Sequence, residues 1–235
     1  SAASLPAVIV DCMRPGPADG EILGSQGDYN QLTKGGGHGD YNTIVLAPYS
    51  VQEYADFAPL SFELAEKYNN PVVVASDGMI AKMMENVELP ERVEPKGRAD
   101  WAVDGINGRG HHNDITTCGD GPEQWERFNL ALQAKYAEIR ENEQRWEEVE
   151  TADADIIVVA FGTMARVCLD AVKLAREDGM KVGMIRPITI WPFPEKAFAN
   201  YIGKGKKFFV AELNAGQMVN DVKIAVNDNG SVEFY

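Results

Sequence analysis

Arg14 opens the segment Arg14-Pro15-Gly16-Pro17-Ala18-Asp19-Gly20. A guanidinium on such a loop is a carboxylate grip: it donates two parallel charge-assisted hydrogen bonds, and the prolines restrict the loop before anything binds. A surface arginine ahead of an ordinary turn has the same sequence, so position must decide. A second loop runs Gly27-Asp28-Tyr29 and then Lys34-Gly35-Gly36-Gly37-His38-Gly39-Asp40-Tyr41, with four glycines within five residues. Glycine at that density permits close backbone approach to a ligand or a partner chain. Gly16, Asp28, Gly37 and His38 are therefore candidates for an active-site loop. His38 is a candidate proton carrier, although a lone histidine more often makes a structural hydrogen bond.

Other signals fail on context. His111 and His112 have no further ligand nearby, so no metal site is expected. Gly119-Asp120-Gly121 resembles the GDG that opens a magnesium and diphosphate motif, but it follows a polar loop instead of a strand. Asn142 is too near to serve as its partner. Gly203-Lys204-Gly205-Lys206 lacks the spacing and Ser/Thr of a phosphate loop. Cys12, Cys118 and Cys168 are odd in number and far apart, so they supply neither a disulfide framework nor an iron-sulfur motif, and each is expected to be a small buried hydrophobe.

The elements that must position Arg14 alternate strand and helix. Short apolar runs at 7–11, 44–47 and 71–75 read as strands buried on both faces. Between the second and third, Ser50-Val51-Gln52-Glu53 is a capping box that starts a helix towards Tyr68, with Pro59 expected to kink it. A strand, helix, strand unit of this kind packs parallel strands beneath a crossover helix, and places ligands at the carboxyl ends of the strands. Arg14 follows the first strand directly. Residues 91–121 lose periodicity and read as an extended arm. From Pro122, Trp125, Phe128, Leu132, Tyr136, Ile139, Trp146 and Val149 recur at spacings of three, four and seven, predicting one long helix. The α/β grammar then returns: strand 156–160, helix 164–177, strand 182–185, a helix after Pro194, and strand 208–212. The fold class is thus α/β, with two parallel-sheet α/β domains.

A formal charge of −14 and a mean hydropathy of −0.26 argue against nucleic acid, whose phosphates need clustered Lys and Arg. No run approaches the roughly 18 apolar residues of a membrane span, and the start SAASLPAVIVD lacks a basic signal-peptide end. The expected location is the cytoplasm. The chain opens and closes almost directly on strands, so further polypeptide is expected at both ends.

Read together, these residues resemble the thiamine-diphosphate-dependent 2-oxoacid:ferredoxin oxidoreductases across nearly the whole chain, most closely the alpha-type subunit of the branched-chain (2-oxoisovalerate) members. The resemblance rests on Val8-Ile9-Val10, Arg14, Gly16-Pro17, Ser25 to Tyr29, Gly35 to Tyr41, Ile44 to Pro48, Ser50 to Glu53, Ala65 to Tyr68, Pro71-Val72, Asp77-Gly78 and Met83-Met84-Glu85. Later, Ala160-Phe161-Gly162-Thr163 and Arg186-Pro187-Ile188-Thr189-Ile190-Trp191-Pro192-Phe193-Pro194 resemble the family's transketolase C-terminal-type domain, also called pyruvate:ferredoxin oxidoreductase domain II. The resemblance implies part of a thiamine-diphosphate pyrimidine-type domain over residues 1–92, a connecting arm and long helix over 93–150, and the transketolase-type domain over 151–235.

It also implies the chemistry: coenzyme-A-dependent oxidative decarboxylation of a 2-oxoacid to acyl-CoA, with electrons passed through iron-sulfur clusters to ferredoxin. Thiamine diphosphate and its magnesium would be bound chiefly by a beta-type partner, and the cluster would sit on another chain among gamma and ferredoxin-like subunits. The family's aminopyrimidine-activating glutamate lies upstream, outside this sequence, so the chain alone is expected to be inactive. Arg14 matches the arginine that faces the substrate carboxylate. Two departures bear on substrate choice: the family's GPGLG or GPSTG becomes Gly16-Pro17-Ala18-Asp19-Gly20, and its GxGQMM becomes Met79-Ile80-Ala81-Lys82-Met83-Met84. Asp19 beside Arg14 either weakens carboxylate affinity or points to solvent. Alternatives are a thiamine-dependent dehydrogenase or transketolase relative that does not use ferredoxin, and a noncatalytic scaffold.

Overall fold

The computed structural model describes residues 3–17, 20–92, 97, 99–115, 117, 119–227 and 230–235. The expectations about Asp19 and Cys118 therefore lie outside the described residues.

The chain forms two sheets. In the first, β1 (Ala7–Met13) and β2 (Ile44–Leu46) flank β3 (Pro71–Asp77), all parallel, in a register that sets Ala7 opposite Pro71 and Met13 opposite Asp77. β3 is central and buried at every position, which is why it reads as an unbroken Val/Ala run instead of an alternating one. Helix α2 (Val51–Tyr68) connects β2 to β3 and buries Phe57, Ser61, Leu64, Ala65 and Tyr68, a stripe at helical spacing. The Ser50 hydroxyl accepts the Glu53 N–H at 3.1 Å, and the Glu53 carboxylate accepts the Tyr49 N–H at 3.0 Å. The helix is continuous through Pro59 and ends at Asn69 in the left-handed region (φ 44°), a conformation that asparagine tolerates.

In the second sheet, β5 (Ile156–Val159) lies between β6 (Val182–Pro187) and β8 (Lys207–Val210), with β9 (Ser231–Phe234) beyond β8, all parallel. Helix α4 (Gly162–Glu177) connects β5 to β6, and α5 (Met218–Val226) connects β8 to β9. Helix α3 (Pro122–Asn142) precedes this sheet and buries Leu132, Tyr136 and Ile139.

Four expectations are corrected. First, β1 is not buried on both faces: it is an edge strand, and Ile9 and Val10 are 47% and 57% exposed. A Val/Ile run signals apolar packing without saying that this chain supplies it. Second, the long helix stops at Asn142, and Trp146–Val149 is strand β4, antiparallel on β6. Trp146 and Val149 continue the helical spacing, but ladder bonds to β6 and anchoring of Glu143 override it. Third, only a short 3-10 turn, Glu195–Phe198, follows Pro194. Fourth, Cys12 is exposed, whereas Cys168 is buried as expected, and burial pushes the Cys168 thiol up to about 11.

The two regions are also interleaved. β7 (Thr189–Trp191), just beyond β6, leaves the second sheet and pairs antiparallel with β2 of the first. One apolar core accordingly runs from Val45, Leu46 and Val74 through Trp191 to Ile157, Phe161 and Phe208.

Candidate functional site

The carboxyl ends of β1 and β3 carry the loops that sequence assigns to chemistry. Beyond Met13 the chain emerges as Arg14 and doubles back, so that Gly20 lies on Pro15. Gly20 has φ +54°, and a Cβ there would stand 1.5 Å from the Pro15 carbonyl oxygen; only glycine fits. Gly24 and Gly78 are similarly confined, the first against the Met79 side chain and the second 2.8 Å from the Leu23 carbonyl oxygen. The loop after β1 is thereby pressed on the turn after β3.

Asp77 ends β3 and is fully buried. Its Oδ1 accepts the Met79 N–H at 2.8 Å and the Ile80 N–H at 3.3 Å, while Oδ2 accepts the Thr163 N–H at 3.4 Å. One carboxylate thus folds the turn and meets the amino end of α4, where the helix dipole favours negative charge. Gln26 makes the complementary clip. Its Nε2 donates to the Phe161 carbonyl at 2.7 Å, its Oε1 accepts the Leu213 N–H at 3.0 Å, and its backbone carbonyl accepts from the Asn214 amide at 2.9 Å. Ser25 adds a hydroxyl bond to the Leu213 carbonyl at 3.1 Å.

Tyr29, wholly buried at the start of α1 (Tyr29–Thr33), donates to Asp221 Oδ2 at 2.5 Å, and Lys34 pairs with the other Asp221 oxygen. Burial, with the Asp221 charge, holds the Tyr29 phenol well above its ordinary range. Glu212 caps α5 by accepting the N–H groups of Gln217, Met218 and Val219 at 3.1, 2.8 and 3.0 Å.

Against this frame the expected site residues divide. Arg14 is exposed at the strand end and makes no ion pair among the described residues. Gly16 lies in the same exposed loop. Asp28 is close by: a Cβ on neighbouring Gly27 would come within 3.8 Å of the Arg14 carbonyl oxygen. Asp11 is near Asp28, with a buried Oδ2 that has no hydrogen-bond partner among the described residues. Burial raises the Asp11 carboxyl above its ordinary value, and the Asp28 charge adds to it. Asp28 and Asp11 thus form a pair of neighbouring carboxyls at the strand end from which Arg14 emerges. Gly37 and His38 lie in an exposed turn, with Gly37 against the Tyr41 hydroxyl.

Sequence reasoning left out Asp77, Gln26 and Asp11. The signal for Asp77 was a carboxylate closing a wholly apolar strand, PVVVASD, where an unpaired charge is costly. Gln26 carried no such signal, because its partners lie 135 and 187 residues away. Among the described residues, no group of three or more His, Cys, Asp or Glu could hold a metal ion, and Gly119-Asp120-Gly121 leads into α3 with Gly121 as its cap. These residues do not fit a magnesium-bound diphosphate. The chemistry this chain offers is that of its own strand-end side chains.

Parallel strands with an arginine loop at their carboxyl ends, clipped to a second α/β sheet, define a two-domain α/β protein. The chain belongs to the pyruvate flavodoxin/ferredoxin oxidoreductase family. Residues 1–156 match the family's thiamine diphosphate-binding domain, and residues 154–235 match pyruvate:ferredoxin oxidoreductase core domain II. The ketoisovalerate oxidoreductase subunit VorB of Methanothermobacter marburgensis is 48% identical over 95% of this chain and 63% of its own length. The 2-oxoglutarate synthase subunit KorA of the same organism is 34% identical over 97% of this chain and 68% of its own. The chain thus spans about two thirds of these relatives. The 2-oxoglutarate:ferredoxin oxidoreductase of Magnetococcus marinus, solved with 2-oxoglutarate, coenzyme A and succinyl-CoA bound, has the same fold, with a TM-score of 0.80 and 21% identity over 99% of this chain and 46% of that one. No helix among the described residues is long and apolar enough to cross a membrane.

Proposed function

We propose that this chain is the greater part of an alpha-type subunit of a branched-chain 2-oxoacid:ferredoxin oxidoreductase. In this reading a 2-oxoacid and coenzyme A become acyl-CoA and CO2, and the electrons pass to ferredoxin. The observation that carries the reading is Arg14, an exposed guanidinium without an ion pair among the described residues, on a glycine-locked loop at the carboxyl end of β1, in a chain 48% identical to a ketoisovalerate oxidoreductase subunit.

Thiamine diphosphate, when bound, supplies the nucleophilic carbon and the electron sink for loss of CO2. The task of this chain is to orient the substrate. Arg14 holds the carboxylate by two parallel hydrogen bonds, fixing the keto carbon for attack. The diphosphate and magnesium belong to a beta-type partner, the iron-sulfur cluster to a further chain, and the assembly is cytoplasmic.

Arg14→Lys in the full-length complex tests this, since it keeps the charge but loses the planar fork. The expected outcome is a fall in kcat/KM of roughly thirtyfold to a thousandfold, about 2 to 4 kcal/mol of transition-state binding, with unfolding unchanged. Near-normal kcat/KM would make Arg14 a mere loop anchor.

A further inference from the structure

A cleft of about 400 Å³ opens between the carboxyl end of α3, the Thr33–Lys34 end of α1, and the segment from β7 to Glu195. None of the residues around Arg14 lines it, so it is separate from the strand-end site. Its volume lies at the small end of the range for ligand pockets, roughly 300 to 1,000 Å³.

Several of its polar groups are already satisfied. Asp221 uses one oxygen for the Tyr29 hydroxyl and the other for Lys34, so that pair adds no net charge. Gln144 accepts the Lys196 N–H at 3.0 Å and donates to the Arg140 carbonyl at 2.9 Å. Three groups remain. The Arg140 guanidinium lies over the Trp191 ring, 5.6 Å from its centroid, and among the described residues it makes no ion pair. Among the described residues the Glu195 carboxylate likewise has no cationic partner, and the Asn42 side-chain amide makes no hydrogen bond. Ile190, Trp191, Pro192 and Phe193 form one side of the cleft, and the rest of its lining is polar.

A cation and an anion without ion pairs among the described residues, at the rim of a cleft with one apolar side, complement a molecule that carries both charges and a small apolar group. A simple carboxylate or a phosphate would satisfy Arg140 but face Glu195, and a simple amine would do the reverse. We propose that this cleft binds a small apolar α-amino acid as its zwitterion. The carboxylate pairs with Arg140, which stays stacked on Trp191. The ammonium pairs with Glu195 and the Asn42 amide oxygen, and the side chain packs on Ile190, Trp191 and Phe193.

The test is equilibrium binding to the full-length complex, read by calorimetry and by the fluorescence of Trp191, which lines the cleft. The probes are L-valine and L-leucine, with isovalerate and isobutylamine as single-charge controls. Saturable binding of an amino acid, with both controls far weaker, is expected. Arg140→Gln and Glu195→Gln should each weaken it roughly ten- to a hundredfold, while circular dichroism stays unchanged because both side chains are exposed. Arg14→Gln should leave this affinity intact, which separates the cleft from the proposed substrate site. Absence of saturation, equal binding of isovalerate, loss of binding in Arg14→Gln, or insensitivity to both cleft variants would overturn the proposal.

Discussion

Arg186 on β6 reaches across to Glu53 at the start of α2, donating from Nη2 to Oε1 at 2.8 Å and from Nη1 to Oε2 at 3.0 Å. The guanidinium is nearly inaccessible, takes Glu147 through Nε at 2.9 Å, and lies over the Tyr49 ring at 4.1 Å. Glu53 also caps its own helix through the Tyr49 N–H. One carboxylate therefore starts a helix of the first region and fastens the second region to it.

Removing one partner of such a pair strands a buried charge. Arg186→Leu should destabilise the subunit by about 3 kcal/mol, and replacing Glu53 as well should cost less than the sum of the two single changes. Urea unfolding of the four proteins closes the cycle, and additive effects would show that the two residues are not energetically coupled.

Gln26→Ala removes both side-chain bonds of the clip and leaves the Phe161 carbonyl and the Leu213 N–H in the interface without those partners. We expect a loss of about 2 to 3 kcal/mol, since an unsatisfied buried polar group forfeits its hydration as well as its bond. A loss below about 0.5 kcal/mol by the same measurement would mean that water replaces the amide.

Much of this was legible beforehand. The Ser50–Glu53 box, the buried β3 run and the two α/β regions each follow from local patterns, and the placement of Arg14 beyond β1 follows from topology. The departures share a cause in long-range pairing. Trp146–Val149 became a strand because β6 was there to receive it, and Thr189–Trp191 joined the first sheet because β2 presented a free edge. The glycine density around His38 marks freedom of the backbone without saying which way a loop turns.

Glu143 gives a pH-dependent test of the seam between α3 and α2. Burial works against its ionised form, but it accepts from Lys67 at 2.7 Å and from the Tyr68 hydroxyl at 2.6 Å, and pairs with Arg145 at 2.8 Å. These partners outweigh burial and hold its carboxyl below the ordinary value. A depressed carboxylate contributes stability above its unfolded value, near pH 4.3, and that contribution fades as the pH falls through the folded value. Glu143→Gln should be less stable than the parent at pH 7, with the gap narrowing below about pH 4. A gap constant across that range in urea unfolding would sink the idea.

Asp11 should behave in the opposite sense. Its carboxyl is raised by burial and then by the Asp28 charge, and its Oδ2 has no partner among the described residues. A raised carboxyl favours the unfolded state at neutral pH, because the unfolded chain gives up the proton more readily. The penalty is present above the folded value and disappears as the pH falls below the unfolded one, near pH 3.9. Asp11→Asn keeps the shape, removes the charge, and should raise the melting temperature at pH 7 while making little difference near pH 4. Asp28→Asn should act the same way more weakly, since it removes only the second cause. If both substitutions raise stability but lower kcat/KM for 2-oxoacids, the unfavourable Asp11 charge is retained for function, as expected where function and stability compete. Scanning calorimetry at the two pH values decides the stability half: an Asp11→Asn protein no more stable than the parent at pH 7 would show that the carboxyl carries no such penalty.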